Sequence, residues 1–446
     1  MTDEKTEKEK KEFSRRTFMS AAAVVGAGAV LASCGKSYPT MKFLDAAPNG
    51  PLLKAGLVGC GDRGGGAVLN FLKAGPNLKL VAMGDVLQDH LDRCRANLAK
   101  KAGVQVADDH CFVGFDAYKK VLETDVDIVL LVTPPHFRPQ HFDAAVEAKK
   151  HCFIEKPIAV DAPGVRSVLA TGQKAAAYNL SVMAGTMRRH SRTYQETQNR
   201  VAHGAIGQVV AAYGRLNRNQ LWYAPKKKEW SDMEAMIRDW LNWSWLSGDD
   251  IVESHVHNID CELWFTGMNP TKVLATGGRV QRVTGNQFDF FNSQFTYPNG
   301  GIFESMTRNI DGCANEFTDC VIGTEGCTNC ENTIYDLKGK VVWKYQEEGQ
   351  DPGKSRVNPY DQEHVDFVNA IRTNQPVNEV EHVAHATLTA IMGRTSAYTG
   401  KEVTWEEMMD SQERLGPTEY AMGPVPIKAE VPVPGNAANI AKHART

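Results

Sequence analysis

The chain alternates between short apolar runs and amphipathic stretches through its first third. In "LLKAGLVGCGDRGGGAVLNFLKA" a short apolar run precedes a glycine turn and a helical pattern, and a second run, "LKLVAMGD", closes on Asp85. Farther on, "VDIVLLVTPPHFRPQHFDAAVEAKKHCFIEKPIA" holds an apolar run at 128–132, a Pro-Pro turn, a helix and another strand. Strand–helix–strand alternation predicts an α/β fold with a doubly wound parallel sheet. The "TPPH" and "EKP" turns then fall at the carboxyl ends of strands, where open α/β sheets bind ligands. In "IVESHVHNID", Ile251, Val252, Val256, Ile259 and Leu263 recur at helical spacing and predict one continuous helix. On it Glu253, His257 and Asp260 would share a face, with His255 about 200° around the axis from His257.

The turn Gly59-Cys60-Gly61-Asp62-Arg63-Gly64 is a G-x-G-x-x-G between a strand and a helix, the setting that makes it a dinucleotide fingerprint. Gly59 permits the tight turn, Gly61 lets the backbone approach a pyrophosphate, and Gly64 lets the helix pack on the strand. The N–H groups at the helix start then face the phosphates. Asp85 lies where a carboxylate accepts ribose hydroxyls, and its charge favours NAD over NADP. Thr133, Pro134, His136, Glu155 and Lys156, on the strand-end turns, complete the expected cofactor set with Asp62 and Arg63.

Composition narrows the classes. The 446 residues are 42% apolar and 23% charged with net charge −3, which predicts a two-domain globular protein and no nucleic-acid partner. The N-terminus reads separately. "MTDEKTEKEKKEF", "SRRTFMS" and "AAAVVGAGAVLASC" form a twin-arginine export pattern with Arg15–Arg16 ahead of a short apolar segment. Residues 1–34 are therefore expected to be a signal, 35–50 a linker, and the protein periplasmic, with Cys34 a candidate lipid anchor as its membrane contact. Of ten cysteines, only Cys327-x-x-Cys330 has zinc-like spacing, and it lacks a second pair, so no metal is expected.

Four motifs in order, "GLVGCGDRG", "TPPHFRPQH", "EKP" and "ESHVHNID", resemble the Gfo/Idh/MocA oxidoreductase family, which includes glucose–fructose oxidoreductase and inositol dehydrogenases. "AGTMRRHSRTY", "GAIGQVVAAYGR", "RDWLNWSWLSGDD" and "GGRV" resemble an exported branch acting on sugars and glycosides. The resemblance implies a Rossmann domain, placed at 51–160. A second α/β domain with a large, mostly antiparallel open sheet follows at 161–410, then an extended tail at 411–446. It also implies a homo-oligomer, dimer or tetramer, built on that open sheet. The family's "EKP" lysine maps to Lys156 and its second-domain histidine to His257. Glu253 stands where the family carries aspartate.

The cluster around His257 has two chemical readings. A single metal ion could not easily take both histidines, because helical geometry separates them, whereas a proton relay needs only one. The expected catalytic set is Lys156, His257 and Glu253, with Glu253 or Asp260 orienting the imidazole. Arg188, Arg189, His190, Trp222, Trp240 and Asp260 are the expected substrate residues, since fork-shaped donors and aromatic faces suit sugars. Tyr223 is a further aromatic candidate, and Arg279 and Arg308 are weaker ones. The expected activity is oxidation of a ring hydroxyl with a tightly bound, recycled NAD. A redox-neutral glycosidase and a non-catalytic sugar-binding lipoprotein are the alternatives.

Overall fold

The computed structural model describes residue 38 and residues 41–436. The expected export signal, Cys34 and the last residues of the tail lie outside the described residues.

Six strands, β1 (Leu53–Val58), β2 (Leu78–Asp85), β3 (Cys111–Val113), β4 (Ile128–Leu131), β5 (His151–Ile154) and β6 (Val182–Ala184), form a parallel sheet in the order β3-β2-β1-β4-β5-β6. All four residues of β4 are buried, as expected for a central strand covered by helices on both faces. The order reverses between β1 and β4, which opens a crevice at their carboxyl ends.

The nine remaining strands are β7 (Val209–Arg218), β8 (Lys272–Gly278), β9 (Phe290–Thr296), β10 (Ile302–Asn309), β11 (Glu316–Gly323), β12 (Gly326–Thr328), β13 (Thr333–Asp336), β14 (Val341–Lys344) and β15 (Val403–Thr404). They pair in the order β14-β13-β12-β11-β7-β10-β9-β8-β15, antiparallel except for β7 with β10. Alternating burial along β10 shows one face packed and one open. The packed face carries Phe291, Phe295 and Phe303, and the last two stack with centroids 5.4 Å apart. Between the sheets runs the Val380–Thr399 helix, buried almost all round. Gly172 makes room for it, because a Cβ there would meet Val380 at 2.7 Å.

One expected boundary is corrected, and two expected segments prove to be docked. The first layer does not stop at residue 160, because β6 pairs with β5 from Cys152–Val182 to Ile154–Ala184. That strand is three residues long, too short to show a period in sequence. The same layer also recruits the Pro359–Arg372 helix, whose Val365, Phe367 and Val368 share a buried cluster with Phe71 and Phe153. The supposed linker is docked from residue 41 onward. Ala47 N donates to Ala74 O at 2.7 Å, and Asp45 pairs with Arg192 at 2.6 Å. The tail, too, lies along its own chain as far as residue 436: Gly435 N donates to Thr399 O at 3.1 Å.

Phe295→Ala should cost about 3–5 kcal/mol, the usual range for deleting a buried aromatic. Urea unfolding checks this, and a loss below about 1 kcal/mol would show that the sheet face is not the second core.

Candidate functional site

A cavity of about 460 Å³ follows the carboxyl ends of the parallel strands. One wall is the glycine turn, Asp85, Thr133, Pro134, Glu155 and Lys156; the other brings Trp222, Trp240, Glu253, His257 and Tyr360.

The glycine turn is shaped by close approach. Gly59 has φ +99, and a Cβ on Gly64 would stand 1.9 Å from Gly59 O. A Cβ on Gly61 would meet nothing within 4 Å, so the open side of the turn faces the cavity. Gly61 is also the N-cap of the Asp62–Lys73 helix, where no side chain occupies the first N–H groups. Asp85 accepts from Cys60 N at 2.6 Å and Leu87 N at 2.9 Å, which anchors its carboxylate to the turn. Burial pushes that carboxyl up, against the pull of these backbone donors. The donor set and the open side of Gly61 fit a dinucleotide.

Arg63 also borders the cavity, yet its guanidinium is committed to Glu155 and, at 3.0 Å, to Glu363, 4.9 Å above the Tyr360 ring. His136 is a correction. Its Nε2 pairs with Tyr420 Oη at 2.7 Å and its ring lies edge-on to Trp245, so it is turned away from the cavity.

Lys156 and Glu253 meet at the junction of the two walls. Lys156 Nζ donates to Glu253 O at 2.6 Å and to Glu253 Oε1 at 3.2 Å, while Ser254 Oγ donates to Glu253 Oε2 at 2.8 Å. Burial would raise the Glu253 carboxyl, but the Lys156 charge outweighs it and the net direction is down. His257 borders the same space. Burial, reinforced by the positive charges of Lys156 and Arg188, holds its imidazole well below the ordinary histidine range, and so neutral.

The continuous helix expected through 251–263 is broken. Asp250–Glu253 forms a single turn capped by Asp249, and a second helix begins at Val256 and runs to Thr266. Asp249, with φ +76, accepts from Asp250 N at 2.6 Å and Phe288 N at 3.0 Å, and also from the Tyr398 hydroxyl. Hydrophobic spacing persists across the break, so the sequence hides it.

Four expected substrate residues prove to be scaffold. Asp260 receives the Arg189 fork at 2.8–3.0 Å and leaves His257 alone. Arg188 pairs with Asp319 at 2.6 Å and also donates to His257 O at 3.3 Å. His190 sits between Asp366 at 2.8 Å and Glu379 at 3.2 Å. Burial opposes its protonation, but the two carboxylates win and raise it well above the usual value. Charges buried this deeply need partners, and these residues supply them to one another. His255 is likewise structural, its Nε2 2.7 Å from Ser305 Oγ. Arg279 and Arg308 bind loop carbonyls.

Trp222 and Trp240 do line the cavity, edge to face at 6.3 Å. Sequence reasoning missed Tyr118, Arg138, His141 and Tyr360, which also line it. Arg138 and His141 stand inside or beside the "TPPHFRPQH" motif. Tyr360 arrives on a helix some three hundred positions away, with no local signal.

Residues 53–186 match the model of the Gfo/Idh/MocA oxidoreductase family, NAD-binding Rossmann fold. The matched stretch coincides with the parallel-sheet layer, which resembles this family's NAD-binding fold. Outside that layer, two curated relatives extend the likeness. A glycosyl hydrolase family 109 protein of Solibacter usitatus is 29% identical over 51% of this chain and 51% of its own length. An inositol 2-dehydrogenase of Salmonella typhimurium is 28% identical over 44% of this chain and 55% of its own. The chain thus spans about half the length of these curated relatives. The apo scyllo-inositol dehydrogenase structure from Lactobacillus casei shares the fold at TM-score 0.58 and 22% identity, covering 79% of this chain and 98% of that one. The aldose-aldose oxidoreductase structure from Caulobacter crescentus does so at TM-score 0.60 and 17% identity, with 79% and 99% covered. Both structures therefore share this chain's two-sheet fold.

The His257 imidazole should remain neutral at pH 6.5, the ordinary midpoint. Nitrogen-15 imidazole shifts, assigned with a His257→Gln variant, check this; a half-protonated ring at that pH would contradict the site's electrostatics.

Proposed function

We propose that this chain is an NAD-dependent oxidoreductase acting on a ring hydroxyl of a sugar, glycoside or cyclitol. One observation carries the reading: Lys156, Glu253 and His257 open onto the same cavity as the glycine turn. The turn and the helix behind it would hold the diphosphate, and Asp85 the ribose. A 2′-phosphate beside Asp85 would meet a like charge, which favours NAD. Bound there, the nicotinamide supplies acceptance of the hydride. The neutral His257 imidazole is suited to take the hydroxyl proton. Lys156, fixed by Glu253, stabilises negative charge building on the same oxygen. Trp222 and Trp240 offer flat faces to the C–H side of a sugar ring.

A second reading draws support from relatives. The glycosyl hydrolase family 109 protein and, at 24% identity, a 2,7-anhydro-N-acetylneuraminate hydratase of Escherichia coli favour a redox-neutral variant. In it oxidation acidifies the neighbouring C–H, a leaving group is eliminated, water adds, and the carbonyl is reduced again. Glu253 still reaches Lys156 despite its longer side chain, which favours catalysis over a binding-only protein.

The proposal includes twin-arginine export to the periplasm, resting on Arg15–Arg16 and the apolar segment that ends at Cys34. A retained, recycled cofactor suits that compartment, where free NAD is scarce. It also includes self-association through the open sheet face, where Leu274 and Ile302 are exposed.

Protein purified without added cofactor should release nicotinamide on denaturation, read in the ultraviolet. Phenol release from nitrophenyl glycosides selects the redox-neutral route, and reduced-nicotinamide absorbance without phenol selects the dehydrogenase. No cofactor and no turnover would sink both. Lys156→Met and His257→Ala should each lower kcat by about 10²–10⁴-fold, the usual worth of a positioned acid or base. Full activity in either variant removes that residue from the mechanism.

A further inference from the structure

A C-terminal strap, residues 415–425, packs against residues that wall the cavity. At Gly416, with φ +99, the backbone passes so close to His136 that a Cβ would meet its Cε1 at 2.6 Å. Tyr420 then bonds His136 through its hydroxyl, and its ring packs on Phe115 at 5.9 Å and Phe137 at 5.4 Å. Both phenylalanines line the cavity. Farther along, Gly423 O accepts from Met233 N at 3.0 Å, and Asp232 Oδ2 accepts from Val425 N at 3.4 Å. The strap is thus sewn to the first turn of the Asp232–Arg238 helix.

The other end of that helix is fixed to the parallel-sheet layer. Arg238 forks onto Asp89 at 2.8 and 3.0 Å, and Asp89 opens the Gln88–Ala102 helix just past Asp85. Between these two anchors Ile237 faces the cavity, opposite Val86 and His90. The Asp232–Arg238 helix therefore crosses the cavity rim with each end held by a separate contact.

We propose that the strap and the Asp232–Arg238 helix form a latch that slows release of a bound dinucleotide. The inference rests on the reading of the cavity as the dinucleotide site. Glycine turn and Asp85 set how well the cofactor is held at equilibrium; the latch sets how fast it leaves, because exit runs past Ile237 and Phe115, which line the cavity and share one apolar cluster. Lid opening of this kind commonly limits release. A slow exit is what a cofactor recycled in place requires.

The test loads the purified full chain with NADH and follows its fluorescence after adding excess NAD as a trap. Tyr420→Ala and Arg238→Ala should each speed release by about tenfold or more, since such contacts act mostly on dissociation. Tyr420→Phe, which removes only the hydroxyl bond to His136, and Asp89→Asn should speed it by smaller factors and serve if the alanine variants fold poorly. Release rates within about twofold of the parent in all soluble variants, with NADH still bound, would overturn the latch and leave the site assignment standing. A parent chain that binds no NADH would overturn the site assignment and the latch with it.

Discussion

The contact between Lys156 and Glu253 is the constraint on which the site depends. Lys156 lies two residues past a strand of the parallel sheet; Glu253 ends a single helical turn of the second layer. Both side chains are largely buried, with 13% and 17% of their surface exposed. Neither charge is tolerable there without the other, and removing one partner of such a pair typically costs about 3–5 kcal/mol. The pair therefore fixes the spacing of the two cavity walls as well as the chemistry between them. His257, four residues farther along, borders the same space, and Lys156 adds to the burial that lowers its imidazole.

Behind that pair stands a row of committed charges. Arg188 with Asp319, Arg189 with Asp260, and His190 with Asp366 and Glu379 clamp the Val256–Thr266 helix against the strands and against the Pro359–Arg372 helix. Their work is geometric, and it has an electrostatic consequence. Arg188 adds to the positive field that keeps the His257 ring unprotonated. An arginine committed to an ion pair thus tunes a ring that borders the cavity.

What the sequence disclosed follows how local each signal is. The glycine turn, Asp85 and Lys156 sit beside strands whose apolar runs are plain, and the cavity gathers all of them. The paired charges misled for a physical reason. An arginine aimed at a sugar and an arginine neutralising a buried aspartate have the same letters around them, and only the fold shows which aspartate is near. The break at Ser254–His255 was hidden because apolar spacing survives it, while Asp249, which caps the short turn before it, looks like any loop acid. Tyr360 and the strap carry no motif at all. Their roles come from chain returning across long sequence separation.

The Pro359–Arg372 helix lends that return a consequence in time. Phe71 and Phe153 lie early in the described chain, yet His364, whose ring packs on both, and Val365, Phe367 and Val368 of the same cluster come much later. A nascent chain leaves the ribosome N-terminus first, so these phenylalanines wait for that cover while all but the last strand of the second sheet is synthesised. The parallel-sheet layer thus starts ahead of the second sheet in sequence and is completed only after most of that sheet has been made.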